Sequence, residues 1–122
     1  MADSGTLTII NAIPGTNLQI TCDNANFNCC DQPVPGAVIG NLKPNTTISY
    51  TCLRKDGHGC NGCQGVWVLD VLGNSLSLGS QPFQIDGNGC IDFNGSNTGA
   101  FSSYLVGAGG SNVTWIILPV IS

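Results

Sequence analysis

The chain has 122 residues, of which 8% are charged, and its formal net charge is −4. Three Lys and Arg side chains cannot displace the counterions of a phosphate backbone, so the composition excludes sequence-independent nucleic-acid binding and disfavours an anionic membrane surface. The length is that of one domain, residues 1–122. Glu is absent and Lys, Arg and Ala are scarce, while Val, Ile, Thr, Asn and Gly are plentiful, which favours strands joined by tight turns.

Short β-rich segments separated by turn residues run along the whole chain. They predict strands over residues 6–13, 17–22, 37–42, 46–53, 65–72, 76–78, 81–85, 90–93, 100–106 and 112–121. Residues 23–35 and 94–99 lack this pattern and are predicted to be loops. The pattern is typical of an all-β fold with little helix, a small β-sandwich or barrel of about eight or nine short antiparallel strands.

Alternation of apolar and polar residues shows which side chains of two predicted strands share a face. Leu18, Ile20 and Cys22 alternate with polar residues, and Tyr50 and Cys52 do so in the later strand. The strand 65–72 is apolar on both faces except at one aspartate, which indicates a central position in a sheet.

Seven cysteines are the most informative residues of the chain. A cytosolic domain rarely carries so many without a metal, so their number favours an oxidising compartment and disulfide bonds. We expect a bridge between Cys22 and Cys52, which closes a loop of roughly 30 residues and contributes about 3–4 kcal/mol. A second link is expected between the 29–30 pair and the 60–63 loop. The candidates are Cys22, Cys29, Cys30, Cys52, Cys60, Cys63 and Cys90, with one thiol left over.

Metal binding is the main alternative for the cysteine-rich loop. His58, Cys60 and Cys63 are three zinc-type ligands within six residues, and Cys52 or Cys22 offers a fourth. Zinc sites usually combine two such pairs of ligands, and this loop provides only one. Residues 86–94 place Asp and Asn at alternate positions, as in a calcium loop, but a cysteine falls where a ligand is expected and no Glu follows. We therefore expect no metal and no cofactor.

Catalysis is not indicated by any pair of residues. His58 and Cys60 lie in a Gly-rich loop with nothing to orient the imidazole ring, and the segment after Cys63 is a predicted strand, whereas redox Cys-x-x-Cys motifs begin a helix. Asp70 is the one acid within an apolar strand, and Asp3 belongs to an isolated Asp-Ser-Gly triplet. We expect no catalytic residue and no enzymatic activity.

The surface that remains is neutral and polar, with Phe27, Trp67 and Tyr104 as candidate exposed aromatic residues. Such a surface suits carbohydrate stacking or protein–protein contact. No signal peptide is visible, and the longest apolar run, residues 115–121, is shorter than the about 20 residues of a spanning helix, so no membrane insertion is expected. Asn-x-Ser/Thr sequons lie at Asn45, Asn94 and Asn112.

Residues 5–12, Gly-Thr-Leu-Thr-Ile-Ile-Asn-Ala, are similar to the first strand of thaumatin-like proteins, and the similarity ends there. Taken whole, the acidic, Asn/Gly-rich, cysteine-containing β pattern resembles small fungal fruiting-body and secreted proteins, more specifically the sweet-tasting proteins of truffles. The resemblance implies an extracellular or fruiting-body protein without catalysis that activates the sweet-taste receptor through its folded surface.

The receptor contacts implied by this resemblance are Lys43, Arg54 and Lys55, the three cations of the chain. Several sweet proteins are basic, whereas this chain has a net charge of −4. Only these three residues can therefore supply positive charge to a receptor contact. The alternative is a carbohydrate-binding lectin or defence protein of a fruiting body. The expected partner is therefore a protein receptor or a glycan, and the sequence leaves the oligomeric state open.

Overall fold

A computed structural model of the chain describes residues 4–24, 30–32, 36–54, 67–85, 91–93 and 95–120. These residues form strands and turns and contain no helix, which confirms the predicted all-β class. The strands are β1 (Ser4–Asn11), β2 (Leu18–Asn24), β3 (Cys30–Gln32), β4 (Val38–Leu42), β5 (Thr47–Arg54), β6 (Trp67–Gly73), β7 (Leu76–Pro82), β8 (Gln84–Ile85), β9 (Ile91–Asp92), β10 (Thr98–Gly99), β11 (Ser102–Val106) and β12 (Asn112–Leu118).

Most of these strands belong to two five-stranded sheets, as expected for a sandwich. Sheet 1 has the order β11-β12-β1-β5-β3, sheet 2 has the order β10-β7-β6-β2-β4, and β8 and β9 form a separate ribbon. The first and last long strands, β1 and β12, pair in parallel. The other strand pairs in the described ranges are antiparallel, as predicted, so this parallel pair at the centre of sheet 1 is an addition to the predicted arrangement.

The core lies between the two sheets and is built by the alternation seen in the sequence. Every second residue of β12 is buried, and the same holds for β1 and for the first part of β2. Trp115 is fully buried and meets Phe93 edge to face, with ring centroids 5.5 Å apart, while Phe101 lies 6.4 Å away on a tilted plane. Offset and edge-on aromatic contacts of this kind favour one arrangement of the core.

A buried polar chain connects the sheets beside Trp115. The indole Nε1 donates to Ser103 Oγ at 2.9 Å, and Ser103 Oγ donates to Gln81 Oε1 at 2.7 Å. Gln81 Nε2 in turn donates to the carbonyl oxygens of Gly95 and Pro82. Because each polar side-chain group in this hydrogen-bond network has a partner, the cost of removing it from water is offset.

Asn11 has a corresponding role at one end of the sandwich. Its fully buried side chain donates from Nδ2 to the carbonyl oxygens of Thr16 and Leu42 and accepts from the Ile13 amide. The backbone of Asn11 also accepts a hydrogen bond from the Asn45 amide. One amide side chain thus fixes the loop after β1 and the end of β4.

Two strands were not expected from the sequence. β3 lies within the predicted loop 23–35 and pairs with the end of β5, and β10 lies within the predicted loop 94–99 and pairs with β7. β10 is possible because Gly79 and Gly99 bring two backbones together: a Cβ on Gly99 would collide with the Leu78 carbonyl oxygen, and Gly99 has a φ of +101°. Both strands depend on a partner distant in the sequence, which local composition does not reveal.

The expected bridge between Cys22 and Cys52 is wrong, because both residues are free, buried thiols. Alternation places both in the core, but β2 belongs to sheet 2 and β5 to sheet 1. A disulfide needs Cα atoms about 4.4–6.8 Å apart and matching Cβ directions, so burial in a shared apolar core does not by itself imply a bond. The side chains of Cys29, Cys30, Cys60, Cys63 and Cys90 lie outside the described residues.

Candidate functional site

Several turns converge at one end of sheet 2. Leu18, the first residue of β2, is paired on one side with Leu42, the last residue of β4, and on the other with Gly73, the last residue of β6. This register brings together the segment before β2, the turn after β4 and the turn between β6 and β7. The site therefore exists only because three strands end at the same level.

A cleft of about 490 Å³ lies between these segments. Its lining combines three leucines from the ends of β2, β4 and β6 with polar side chains from the turns and the outer face of the sheet. The lining residues are Asn17, Leu18, Gln19, Asn41, Leu42, Lys43, Leu72, Asn74 and Ser75. Leu18 and Leu42 are almost completely buried and belong to the core, so the cleft has a fixed apolar floor.

Hydrogen bonds fix the two walls of the cleft relative to one another. The Asn17 amide donates to Asn74 Oδ1 at 2.9 Å, and the Asn74 amide donates to the Asn17 carbonyl oxygen at 2.8 Å. On the sheet face, Gln19 Nε2 donates to Asn41 Oδ1 at 3.2 Å. The site is thus assembled before any ligand arrives, which reduces the entropy lost on binding.

The amide side chains keep part of their hydrogen-bonding capacity. Within the described part of the chain, Gln19 uses its NH₂ group, while Asn41 and Asn74 use their carbonyl oxygens. An amide carries both a donor and an acceptor group. One acceptor, on Gln19, and two donors, on Asn41 and Asn74, are therefore directed to solvent or to a ligand.

Backbone strain is concentrated around this cleft. Among the described residues, the three non-glycine residues with positive φ are Asn45 at 62°, Asn74 at 49° and Ser75 at 70°. Asn74 and Ser75 form the two-residue turn between β6 and β7, where positive φ at both positions matches the twist of a hairpin. Asn45 lies in the turn that carries Lys43. Such conformations cost about 1–3 kcal/mol each and persist at ligand sites and other over-determined positions.

The charge of the cleft comes from Lys43, because the other described lining residues are amides, leucines and a serine. No carboxylate, imidazole or thiol is among these lining residues. The site offers hydrogen bonds and apolar contact to a neutral ligand and does not offer a proton-transfer pair.

Of the three cations predicted as receptor contacts, two lie at described backbone positions, those of Lys43 and Arg54. Lys43 lies at the cleft, just before β5 begins at Thr47, and Arg54 is the last residue of that strand. The eight residues of β5 extend over roughly 23 Å, so the backbone of Arg54 lies at the end of the strand opposite the turn that carries Lys43. Lys55 lies outside the described residues, as do His58, Cys60 and Cys63 of the zinc alternative.

Among the remaining acidic candidates, Asp70 is the one whose side chain the structure describes. The outward-facing Asp70 is paired with Thr21 and Ser80, and partial burial, with a smaller effect of Asp23, raises the pKa of its carboxyl. Within the described ranges, no three His, Cys, Asp or Glu side chains are close enough to hold a metal ion. Asp3 and residues 86–90 and 94 of the calcium alternative lie outside those ranges.

Of the three aromatic residues predicted to be exposed, Tyr104 is confirmed, with 58% of its surface exposed. It lies on β11, at the edge of sheet 1 and away from the cleft. Phe27 and the side chain of Trp67 lie outside the described residues. The cleft itself was missed from the sequence, because its amides come from three separate segments that only the strand register unites.

No protein-family model matches the sequence, and no curated protein matches it. The fold is similar to that of two solved proteins. RahU protein, solved in complex with a TRIS molecule, has a TM-score of 0.51 at 9% identity, with 97% of each chain covered. IP-1A from Alcaligenes faecalis has a TM-score of 0.49 at 8% identity, with 98% of this chain and 94% of that chain covered. At these identities the likeness to RahU is one of fold alone.

Among the residues that the structure describes, none form a helix long and apolar enough to cross a membrane.

Proposed function

We propose that the chain is a non-enzymatic recognition protein that binds a neutral, hydroxyl-rich ligand, a carbohydrate, in the cleft at the end of sheet 2. The observation that carries this proposal is the convergence of four amide side chains, those of Asn17, Gln19, Asn41 and Asn74, over a leucine floor. The volume of about 490 Å³ falls in the range of about 300–1,000 Å³ typical of small-ligand sites.

Sugar chemistry matches the groups on offer. Each hydroxyl both donates and accepts, and the amides of Gln19 and Asn41 offer an acceptor and a donor side by side. The C–H face of a sugar ring is apolar and fits against Leu72, the partly exposed leucine of the floor. Lys43 adds one donor without a neighbouring carboxylate in the cleft lining. A ligand without net charge brings no unpaired charge of its own into the cleft, and the exposed Lys43 ammonium can donate to it while staying in contact with water.

A glycan array followed by calorimetry on the best-bound sugar tests this proposal. Asn41→Ala removes a cleft donor and leaves Gln19 without its partner, so we expect at least about a tenfold weaker affinity. Asn112→Ala is the matched control, because Asn112 is an exposed amide on a strand of sheet 1, and its affinity should equal that of the unmodified chain. Absence of any glycan ligand, or equal binding by both variants, would refute carbohydrate recognition in the cleft.

A second proposal is activation of the sweet-taste receptor, supported by the way the structure presents Lys43. The turn after β4 is held rigidly, since both the amide and the hydroxyl of Thr46 donate to the Lys43 carbonyl oxygen and the Asn45 amide donates to the Asn11 carbonyl oxygen. An exposed cation on a rigid turn suits an acidic face of a protein partner, because little side-chain and loop entropy is lost on contact.

A cell-based receptor assay separates the two proposals. Lys43→Glu reverses the charge on the turn, and we expect a loss of receptor activation with glycan binding reduced much less. Asn41→Ala should show the opposite pattern. A chain that does not activate the receptor, or that activates it equally well with Glu at position 43, contradicts the receptor proposal and leaves the glycan proposal intact.

A further inference from the structure

β11 is an edge strand without the features that normally block association. It pairs with β12 over Ser102–Val106 without any register shift, and no other strand of the described ranges pairs with its second side. It contains no charged residue and no proline, and Tyr104 and Val106 are 58% and 49% exposed. A regular, apolar and uncharged edge is a template for the addition of another strand.

The other edges of the two five-stranded sheets, β4, β3 and β10, differ from β11. β4 has a register shift against β2, β3 is three residues long and also shifted, and β10 has only two residues. Bulges and very short strands are the usual means by which proteins protect an edge. Three edges are therefore protected, and β11 is not.

The outer face next to β11 carries no charge either. The outward side chains of β12, β1 and the described part of β5 are Thr, Ser, Asn and Ile, with Leu118 at the end. Two copies of a chain with a net charge of −4 repel each other on most approaches. Repulsion is smallest where these uncharged surfaces meet, which favours a second copy as the occupant of the edge over a charged partner.

We infer that two copies of the chain associate through their β11 strands, which pair antiparallel. Sheet 1 of one copy and sheet 1 of the second copy then form one continuous ten-stranded sheet. A two-fold axis through the middle of the strand places Tyr104 of one copy opposite Tyr104 of the second, and Ser102 opposite Val106. Backbone hydrogen bonds supply the pairing, and the tyrosine pair adds an aromatic cross-strand contact. The inference is independent of the proposed ligand site, which lies on sheet 2.

A single five-residue strand is a small interface. Standard interfaces use about 20–30 residues on each side, so the dimer should be weak and should form only at high protein concentration.

Sedimentation velocity on the full chain between about 10 μM and about 1 mM tests the inference over the range of weak dimers. We expect the sedimentation coefficient to rise with concentration. Val106→Lys, which places a charge on the edge, should weaken association at least tenfold. Val38→Lys is a closely matched control, because Val38 is 50% exposed and lies on the edge strand β4 of the other sheet. Both variants add the same charge, so only the position differs.

Hydrogen exchange at low and high concentration identifies the surface involved. The amides of residues 102–106 should gain protection at high concentration, and those of β4 should not. A monomer at every concentration, an equal effect of both lysine variants, or protection confined to β1 and β5 would overturn the inference; the last result would mean that copies stack face to face.

Discussion

Buried amides and cleft amides in this protein are the same chemical groups in two different situations. Asn11 and Gln81 are buried, and each uses both its donor and its acceptor within the protein. Gln19 and Asn41 lie at the surface and share one hydrogen bond between them. The difference shows that satisfied amides hold the sandwich together, whereas half-satisfied amides are available to a ligand.

Removing a buried amide should have the largest effect. Asn11→Ala deletes three hydrogen bonds and leaves one buried carbonyl oxygen, that of Leu42, and one part-buried carbonyl oxygen, that of Thr16, without these partners. We expect the free energy of unfolding to fall by about 3 kcal/mol. Asn41→Ala, the cleft counterpart, should cost less than about 0.5 kcal/mol, as surface substitutions usually do. Urea unfolding monitored by tryptophan fluorescence measures both. Equal losses in the two variants would contradict the distinction between structural and ligand-binding amides.

The buried thiols extend the comparison to pH. Burial raises the pKa of Cys22 and of Cys52 to about 12, from an ordinary value of 9.0. Both thiols stay protonated in the folded protein, whereas in the unfolded chain they lose their protons above pH 9. The thiols therefore contribute their full stabilisation below pH 9, and the free energy of unfolding falls as the pH rises from 9 towards 12. One pH unit above 9 should cost about 1.4 kcal/mol for each thiol.

Denaturant unfolding under reducing conditions between pH 8 and 10.5 measures this slope. Cys22→Ala and Cys52→Ala should each remove about half of the slope contributed by the pair, whatever they do to stability at pH 8. Rapid modification of both thiols in the folded protein at pH 8 is the outcome that contradicts their burial.

The hydrogen-bond network that connects Trp115 with Gln81 should give an intermediate loss of stability when it is broken. Ser103→Ala leaves the indole N–H and Gln81 Oε1 without their shared partner, and we expect a loss of about 1–2 kcal/mol. The near-UV circular dichroism of Trp115 should change as well, because its environment loses a fixed dipole. Ser102→Ala on the same strand is the control, and its unfolding midpoint should stay within error of the unmodified chain.

The strained turn beside the cleft gives the smallest effect. Ser75 has a φ of 70°, which glycine adopts without cost, so Ser75→Gly should stabilise the protein by about 0.5 kcal/mol. Ser77→Gly, at an exposed position of β7, should destabilise it by a similar amount. Thermal unfolding of the two variants gives opposite shifts if the turn is strained as described, and shifts of the same sign if it is not.

Much of the fold followed from local patterns. Alternation in residues 17–22 and 46–53 placed Leu18, Ile20, Cys22 and Cys52 in the core, and the Asn-Ser turn separated β6 from β7. Alternation and turns depend only on residues that are close in the sequence, so they can be recognised without knowing the tertiary structure. The parallel pairing of β1 with β12, and the strands β3 and β10, depend on partners distant in the sequence. No local signal determines them.

The candidate site also depends on tertiary structure and has no local sequence signal. The sequence by itself determined an acidic, sparsely charged, Asn-rich β-protein, with buried cysteines on two alternating strands. Only the packing of the sheets decided that Cys22 and Cys52 remain unbonded although both lie in the core. Register likewise decided that Gln19, Asn41 and Asn74 border one cleft, because side-chain proximity across strands depends on which residues are paired, and pairing is a property of the folded chain.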